Sequence, residues 1–448
     1  MGGRFSRLIL SVALSSLSAR PELVEGRRGL TPTGRSSNLC GRCRIPPVAL
    51  RDFVRDCSAV KKRVLVVRMN LRPPGGGRAV AAWMIEALRG VHHVGVLSWV
   101  PVDLTAINRY YGTSLQPSDV TLHAVPAARY VPGSGFERLK YSHLLRRCRK
   151  LRPDYDVFIG VNNEADFGVP GIQYIHYTGA YDSRQNPRGT ISLEAATLPG
   201  SRPWPLHTRI YFWLCNWWSG WSIERMHRNL TLANSEWTAR RVAALHGIAA
   251  TTLYPPVAAD FPAVPWEERE NGFVCIGRIV PQKKLETIVA ILADVRRRGH
   301  DVRLHIIGSP ADRDYYHRIR TVQAEHAAWV HLETDLSRAE LTQLVARQKF
   351  GIHAMPNEHF GIAVAEMVSA GCIVFVPDDG GQVEIIGDRP ELIYSSRADA
   401  AEKIDKVLRA PELQSALREH LAPRRSLFSR DEFIRRVRGI VAEFPAPS

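Results

Sequence analysis

At 448 residues the chain has room for two or three domains with substantial cores, and 45% hydrophobic with 23% charged residues is the balance of a globular protein, not of a low-complexity or fibrous one. The net charge of +16 is uneven: residues 1–62 carry 12 Lys/Arg against 4 Asp/Glu, residues 63–265 carry 22 against 13, and residues 266–448 carry 26 against 27. An anionic partner, a membrane surface or a phosphate-bearing acceptor, therefore belongs with the first two-thirds, and the near-neutral remainder argues against a nucleic-acid binder.

Residues 1–62 do not read as a fold. Arg4 and Arg7 precede a short apolar run, Leu8 to Leu17, with small residues near Ala19, a superficial likeness to a secretory signal. The Pro/Gly/Arg-rich stretch that follows has no periodicity, and the reading is a disordered extension or a start placed too far upstream, with the fold beginning near Lys62. Cys40-Gly41-Arg42-Cys43 is a single CxxC without a second pair, which does not make a zinc site. Seven cysteines, odd in number and scattered through the globular region, fit a reducing compartment.

Arg63 to Met69 reads as a first buried strand, Asn70 to Gly77 as a Pro- and Gly-rich loop ending in Gly75-Gly76-Gly77, and Arg78 to Leu88 as a helix. Strand, glycine loop and helix is an arrangement that lets a phosphate approach the backbone, which makes Gly76 and Gly77 candidates. Val94 to Trp99 is a second strand. Between Arg129 and Arg152 there are eight basic residues and one acid, Glu137, with Leu139, His143, Leu144, Cys148 and Leu151 able to line one face. That is a cationic helix packed on the sheet or one that lies on anionic lipid. Tyr155 to Val161 and Ile172 to Tyr177 are strands, and His176 stands where the second runs out, within reach of a ligand. The aromatic run Tyr211 to Trp221 is too short for a membrane span and reads first as a core helix, second as an interfacial or acceptor-binding face. Leu230 to Ser235 ends a strand, Ser235 caps the helix from Glu236, and Tyr254-Pro255-Pro256-Val257 with Pro262 and Pro265 marks a hinge between domains.

The second domain opens with the strand Phe273 to Ile276 and the loop Gly277 to Lys284, whose Arg278 and Lys283 beside a helix start suit a diphosphate. Leu304 to Gly308 and Val330 to Leu332 are strands, and Ser337 with Glu340 makes a capping box. Phe350 to His353 is a strand, Gly361 to Ala370 a helix stopped by Gly371, and Cys372 to Val376 another strand. In a parallel sheet the loop before that helix lies where α/β folds bind ligands, and the helix amino end suits a phosphate. Gly361 allows close approach. Glu358 in the loop and Glu366 two turns on can accept hydrogen bonds on either side of a bound phosphate, the layout of a sugar nucleotide. Asp379 to Glu384 is a Gly-rich turn, and Asp399 to Leu408 and Asp431 to Phe444 are helices. Asp154-x-Asp156 and Asp312-x-Asp314 are not expected to hold a metal, because Arg278, Lys283 and helix amides already neutralise phosphate.

Glu358 and Glu366, with Phe360-Gly361 between them, resemble the Glu-x7-Glu motif of the GT-B retaining glycosyltransferases of family GT4. The wording of His359-Phe360-Gly361-Ile362, of the triple glycine, of Tyr174-Ile175-His176-Tyr177 and of the Pro-Pro-Val hinge is similar to the eukaryotic α-1,2-mannosyltransferases of that family that extend lipid-linked oligosaccharide. The resemblance covers roughly residues 62–440. It implies an α/β GT-B fold, two Rossmann-like domains whose parallel sheets face a central cleft, with a C-terminal helix crossing back. The expected divisions are an extension over 1–62, an acceptor domain over 63–262, a nucleotide-sugar domain over 263–425 and a returning helix over 426–448. It implies a catalytic set of His176, Glu358, Arg278 and Lys283. Arg278 and Lys283 would grip the donor phosphates, Glu358 the hexose and Glu366 the ribose, with Gly76, Gly77, Phe360 and Gly361 around the diphosphate. Lys284 stands where the family carries Gly or Asn. The implied reaction moves a hexose, mannose, from a GDP- or UDP-linked donor to a hydroxyl of a glycan or lipid-linked acceptor with retention. No cofactor is permanently bound, no metal is used, and the protein is cytoplasmic and peripheral at the membrane. A GT-B epimerase or phosphorylase would share the cleft, and a basic non-catalytic binding protein would share the charge.

Overall fold

The computed structural model of the chain describes residues 61–129, 136–177, 206–257 and 259–445, all within the compact unit Ala59–Ser448. The signal-like run, the Cys40–Cys43 pair and the disordered-extension reading lie outside the described residues.

The apolar run Val64-Leu65-Val66-Val67 forms β1 (Arg63–Arg68) and is buried on both sides, as a strand must be when helices cover both faces of a parallel sheet. Six more strands join it: β2 (His93–Ser98), β3 (Val120–Ala124), β4 (Val157–Gly160), β5 (Ile172–Ile175), β6 (Leu230–Ala233) and β7 (Thr251–Thr252). Their order is β3-β2-β1-β4-β5-β6-β7, every pair parallel. A second sheet holds β8 (Glu270–Ile276), β9 (Arg303–Ile307), β10 (Val330–Glu333), β11 (Gln348–Ile352), β12 (Ile373–Pro377) and β13 (Ile393–Tyr394) in the order β10-β9-β8-β11-β12-β13, again all parallel. Both sheets reverse their strand order once, between β1 and β4 and between β8 and β11. At such a point the crossovers diverge and leave a crevice outside the strand ends. The loops after β1, β8 and β11 are the ones that carry the glycines, the cations and Glu358.

The expected two-domain GT-B architecture is therefore present, and so is the returning helix. Phe433, Val437 and Val441 of the helix Arg430–Glu443 are buried in the same core as Val64, Trp83 and Leu88 of the first domain. Lys62 holds its end: Nζ donates to the carbonyls of Val441 (2.8 Å), Ala442 (2.8 Å) and Phe444 (2.7 Å), a cation on the negative end of a helix. The hinge is stiffened by packed rings, with Tyr254 5.7 Å from Phe360 and 5.2 Å from Phe428, and by Val257 N donating to Phe428 O at 2.7 Å.

A further clasp joins the domains at the helix Glu236–His246. Ser235 accepts from Thr238 N at 2.9 Å as its cap and donates to His359 O. Glu384 of the second domain accepts from the free amides of Glu236 (2.8 Å) and Trp237 (2.5 Å), and Trp237 Nε1 donates to Asp379 at 2.9 Å.

The structure departs from the sequence reading in three places. The helix after β1 starts at Gly76, capped by Gly75 at φ +147°, so Gly76 and Gly77 form its first turn rather than a loop. The basic segment folds as the helix Glu137–Lys150, but Arg138 and Lys140 are buried and only Arg146 and Lys150 of its cations are fully exposed, so this helix does not offer a broad cationic face of its own. The aromatic run folds as the helix Leu206–Ser219 with Phe212, Cys215 and Ser219 buried and Trp213 and Trp217 exposed, which overturns the core-helix reading. The two Asp-x-Asp pairs have structural work: Asp156 binds Arg63 at 2.6 Å, and Asp312 caps the helix Arg313–Glu325.

Replacing Lys62 by Met should cost about 1–2 kcal/mol of folding free energy, the scale of charged hydrogen bonds at a helix end. Urea denaturation reads it, and an unchanged midpoint would mean that the closing helix is held by its apolar face alone.

Candidate active site

The loop after β8 carries its cations in a constrained turn. Lys284 adopts φ +49°, the left-handed region where a Gly or Asn would sit at ease, and caps the helix Leu285–Arg297. Lys283, one residue earlier, sends Nζ across to Glu358 Oε2 at 2.7 Å. His353, fully buried at the end of β11, brings Nε2 to 3.5 Å from the same oxygen. Burial opposes ionisation of Glu358, but Lys283 and His353 overcome it and hold the carboxyl far below its ordinary 4.5. His353 is pushed down by burial and then by Lys283, so it is neutral at physiological pH.

Glu358 is also fixed through its backbone. Its carbonyl accepts from Gly381 N at 2.8 Å, and a Cβ added to Gly380, at φ +102°, would lie 2.5 Å from that carbonyl. Only glycine lets the two turns touch here.

Gly361 caps the helix Ile362–Ser369 at φ +99°, leaving its amide groups facing the gap between the domains. Opposite stands the amino end of the helix Gly76–Leu88. A Cβ on Gly76 would fall 2.5 Å from Ile362 Cδ1, and one on Gly77 3.0 Å from Arg68 and 3.2 Å from the His176 ring. Two helix amino ends thus meet across the cleft with almost nothing between them. Phe360 is different: its side chain is buried 5.6 Å from the Phe428 ring, so it serves the hinge and not the cleft.

Glu366, nearly buried, accepts from Arg338 Nη2 at 2.7 Å. Tyr110 lies on the wall of the same interdomain cleft from the first domain, 52% exposed. Arg278 is exposed and makes no hydrogen bond or ion pair with the described residues. These groups border an interdomain cavity of about 470 Å³ whose walls include Gly76, Tyr110, Arg278, Asp335, Ile362 and Glu366. Lys283, Glu358, Gly77 and His176 are not on its walls.

His176 is half-buried, with Nε2 3.0 Å from Arg68 Nη1 and 3.1 Å from Val161 O. A guanidinium only donates, so Nε2 accepts from Arg68 in one tautomer and donates to Val161 O in the other. Burial and Arg68 drive the imidazole well below 6.5, and burial lowers Arg68 itself to about 10. Of the residues the sequence reading named, Gly76, Arg278 and Glu366 share the walls of one cavity, Gly361 precedes the wall residue Ile362, and Lys283 and Glu358 pair with each other off those walls. That reading missed Arg68, His353, Arg338 and Tyr110. Arg68 and His353 carried a readable signal, a polar residue ending an apolar strand; Arg338 and Tyr110 meet Glu366 only through tertiary folding.

Residues 257–422 match the family described as glycosyl transferases group 1. Over 318 residues the chain is 28% identical to a Neurospora crassa protein named GDP-Man:Man(3)GlcNAc(2)-PP-Dol alpha-1,2-mannosyltransferase, covering 60% of this chain and 55% of that protein. The human protein of the same name is 25% identical over 228 residues, 46% of each chain. The chain thus spans about half the length of the curated relatives it matches. Among solved structures, Anabaena HepE, crystallised with UDP and glucose, superposes with a TM-score of 0.60 at 13% identity over 86% of this chain and all of that one. WaaG, a glycosyltransferase of lipopolysaccharide biosynthesis, does so at 0.58 and 15% identity over 85% and 100%. The segment that carries Arg278, Lys283, Glu358 and Glu366 is the one that matches the glycosyl transferases group 1 family, and it is set within a chain of GT-B fold.

Proposed function

We propose that this protein is a retaining hexosyltransferase that moves mannose from a GDP-linked donor to a hydroxyl of a glycan or lipid-linked acceptor. The observation that carries the reading is that both motif glutamates are paired with cations, Glu366 with Arg338 on the wall of the interdomain cavity and Glu358 with Lys283 next to Gly277 of that wall. The names of the relatives support the GDP-mannose donor and the lipid-linked acceptor. In this reading residues 263–425 hold the donor and residues 63–262 the acceptor, in the cytoplasm where nucleotide sugars are made.

The diphosphate takes its place among Arg278, Lys283 and the amides at Gly361 and Ile362, with Gly76 and Gly77 closing from the other side. Donors already aimed at the leaving group stabilise the charge that builds on it, and cost no reorganisation when it does. Glu358, ionised at any working pH, accepts from hexose hydroxyls; Glu366 accepts from the ribose. His176, neutral, positions the reacting sugar by hydrogen bonding. Glu358 and Glu366 are both committed to cations, so no protein nucleophile is assigned. The acceptor oxygen bonds to the anomeric carbon on the face that the diphosphate leaves, and a phosphate oxygen takes its proton.

Arg278 is exposed and unpaired, so Arg278→Ala should leave the melting temperature unchanged while lowering kcat/KM by about 10²-fold or more, roughly 2.7–4 kcal/mol; wild-type turnover would remove the diphosphate role. Glu366→Gln should weaken GDP binding about tenfold in calorimetry, about 1.4 kcal/mol, and GDP should raise the melting temperature more than UDP; the reverse order would replace the nucleotide. Stability should also fall on acidification. His176 and His353 stay neutral in the fold while the unfolded chain takes up their protons below about pH 6.5, so stability present above that pH is lost beneath it. Denaturation of His353→Gln at neutral and mildly acidic pH should show a shallower loss.

A further inference from the structure

Among the described residues, the helix Leu206–Ser219 is anchored on one side. Phe212, Cys215 and Ser219 are buried, Tyr211 Oη accepts from Leu139 N at 3.1 Å, and Asn216 Oδ1 accepts from Arg138 Nε at 3.1 Å, which fixes it to the helix Glu137–Lys150. On the other side Leu206, Ile210, Trp213 and Trp217 are 69%, 47%, 60% and 68% exposed. Their spacing of i, i+4, i+7 and i+11 places them in one stripe along the helix. Trp218, on the flank beside Arg146, is exposed too. A lone exposed apolar residue needs no explanation, but a stripe of this size in helical register does.

The surroundings indicate what covers it. The helix contains no Asp or Glu. Arg209 beside Ile210 is exposed, as is Lys150, and the Arg146 guanidinium lies 4.3 Å from the Trp218 ring. Two-fold pairing with a second copy would bring these cations against their equivalents, which disfavours a self-interface. Tryptophans between an apolar phase and water, rimmed by cations, match the headgroup layer of an anionic bilayer. Among the described residues no helix is long and apolar enough to cross a membrane, and at 14 residues this one would lie in the plane of the surface.

We infer that the Leu206–Trp217 stripe seats the protein on an anionic lipid surface. The inference deepens the proposed reaction, for which a lipid-linked acceptor is presented at a bilayer, but it is tested without donor or acceptor. The full chain is floated with vesicles of phosphatidylcholine alone and of phosphatidylcholine with phosphatidylglycerol, and tryptophan quenching by brominated acyl chains is read in parallel. Wild-type protein should float with the anionic vesicles, lose binding as salt rises and show quenching. The Trp213→Ala, Trp217→Ala double variant should bind about tenfold more weakly or worse and lose most quenching. The Arg146→Gln, Arg209→Gln variant should lose the preference for anionic vesicles, and serves should the tryptophan variant fail to fold. Unchanged binding by both variants would overturn the inference. So would a dimer in sedimentation that the tryptophan variant dissolves, since that assigns the stripe to a second copy. Calorimetry with GDP and UDP on the same proteins keeps the donor site separate: a wild type that binds vesicles but neither nucleotide refutes the transferase reading and leaves this one standing.

Discussion

Two helix amino ends face each other across one gap, and the rest of the molecule is built to keep them there. Each carries a partial positive charge and unpaired amides, and the segments at the same strand ends add Arg68, the last residue of β1, Arg278 and Lys283 of one loop, and Arg338, the first residue of a helix. Like charges at this spacing repel, so the empty cleft needs counter-charge. Glu358 on Lys283 and Glu366 on Arg338 supply it. Pairs of this kind, partly desolvated, add little to stability because loss of hydration offsets much of the attraction. Their value is that they hold ammonium and guanidinium in fixed positions before an anionic ligand arrives.

In the proposed reaction the same pairing would favour a sugar nucleotide over inorganic phosphate. A phosphate alone satisfies the cations but leaves the carboxylates with nothing further to accept. Hydroxyls on both flanks give Glu358 and Glu366 new donors while the diphosphate takes up the positive charge they had shared. A ligand with hydroxyls on only one side of its phosphates recovers half of that compensation. The depressed pKa of Glu358 serves this end, since a protonated carboxyl there would free Lys283 and lose an acceptor.

Much of this was legible in the chain because it rests on local rules. Glycine after a strand, serine before a helix and a cation at a strand end all act within a few residues, and Ser235, Ser337, Gly361 and Lys283 behave as those rules require. What stayed hidden depends on which face of an element finds a partner. The composition of the helix Leu206–Ser219 is apolar enough for a core, and only the packing of the helix Glu137–Lys150 decides that Phe212 turns in and Trp213 turns out. Arg138 and Lys140 count as surface charge in the sequence and as buried groups in the fold for the same reason. β3, β7 and β13 escaped notice because they are short or carry few apolar residues and lie at or next to sheet edges, where half the burial that marks a strand is missing.

The segment from Glu358 to Glu384 does two things at once, and this ties substrate contact to domain geometry. Its first residue is the hexose ligand of the proposed reaction. Its last accepts the free amides of the helix Glu236–His246 in the other domain, where burial raises its pKa and those amides work to lower it. Gly380 and Gly381 lie directly against the backbone of Glu358 and His359, and His359 O accepts from both Ser235 and Thr238 across the hinge. A rotation of one domain against the other must therefore move His359 or break those bonds, and Glu358 is its neighbour in the chain. The position of the carboxylate is set by the same contacts that set the width of the cleft, so in the proposed reaction closing on a donor and orienting its sugar would be one motion rather than two.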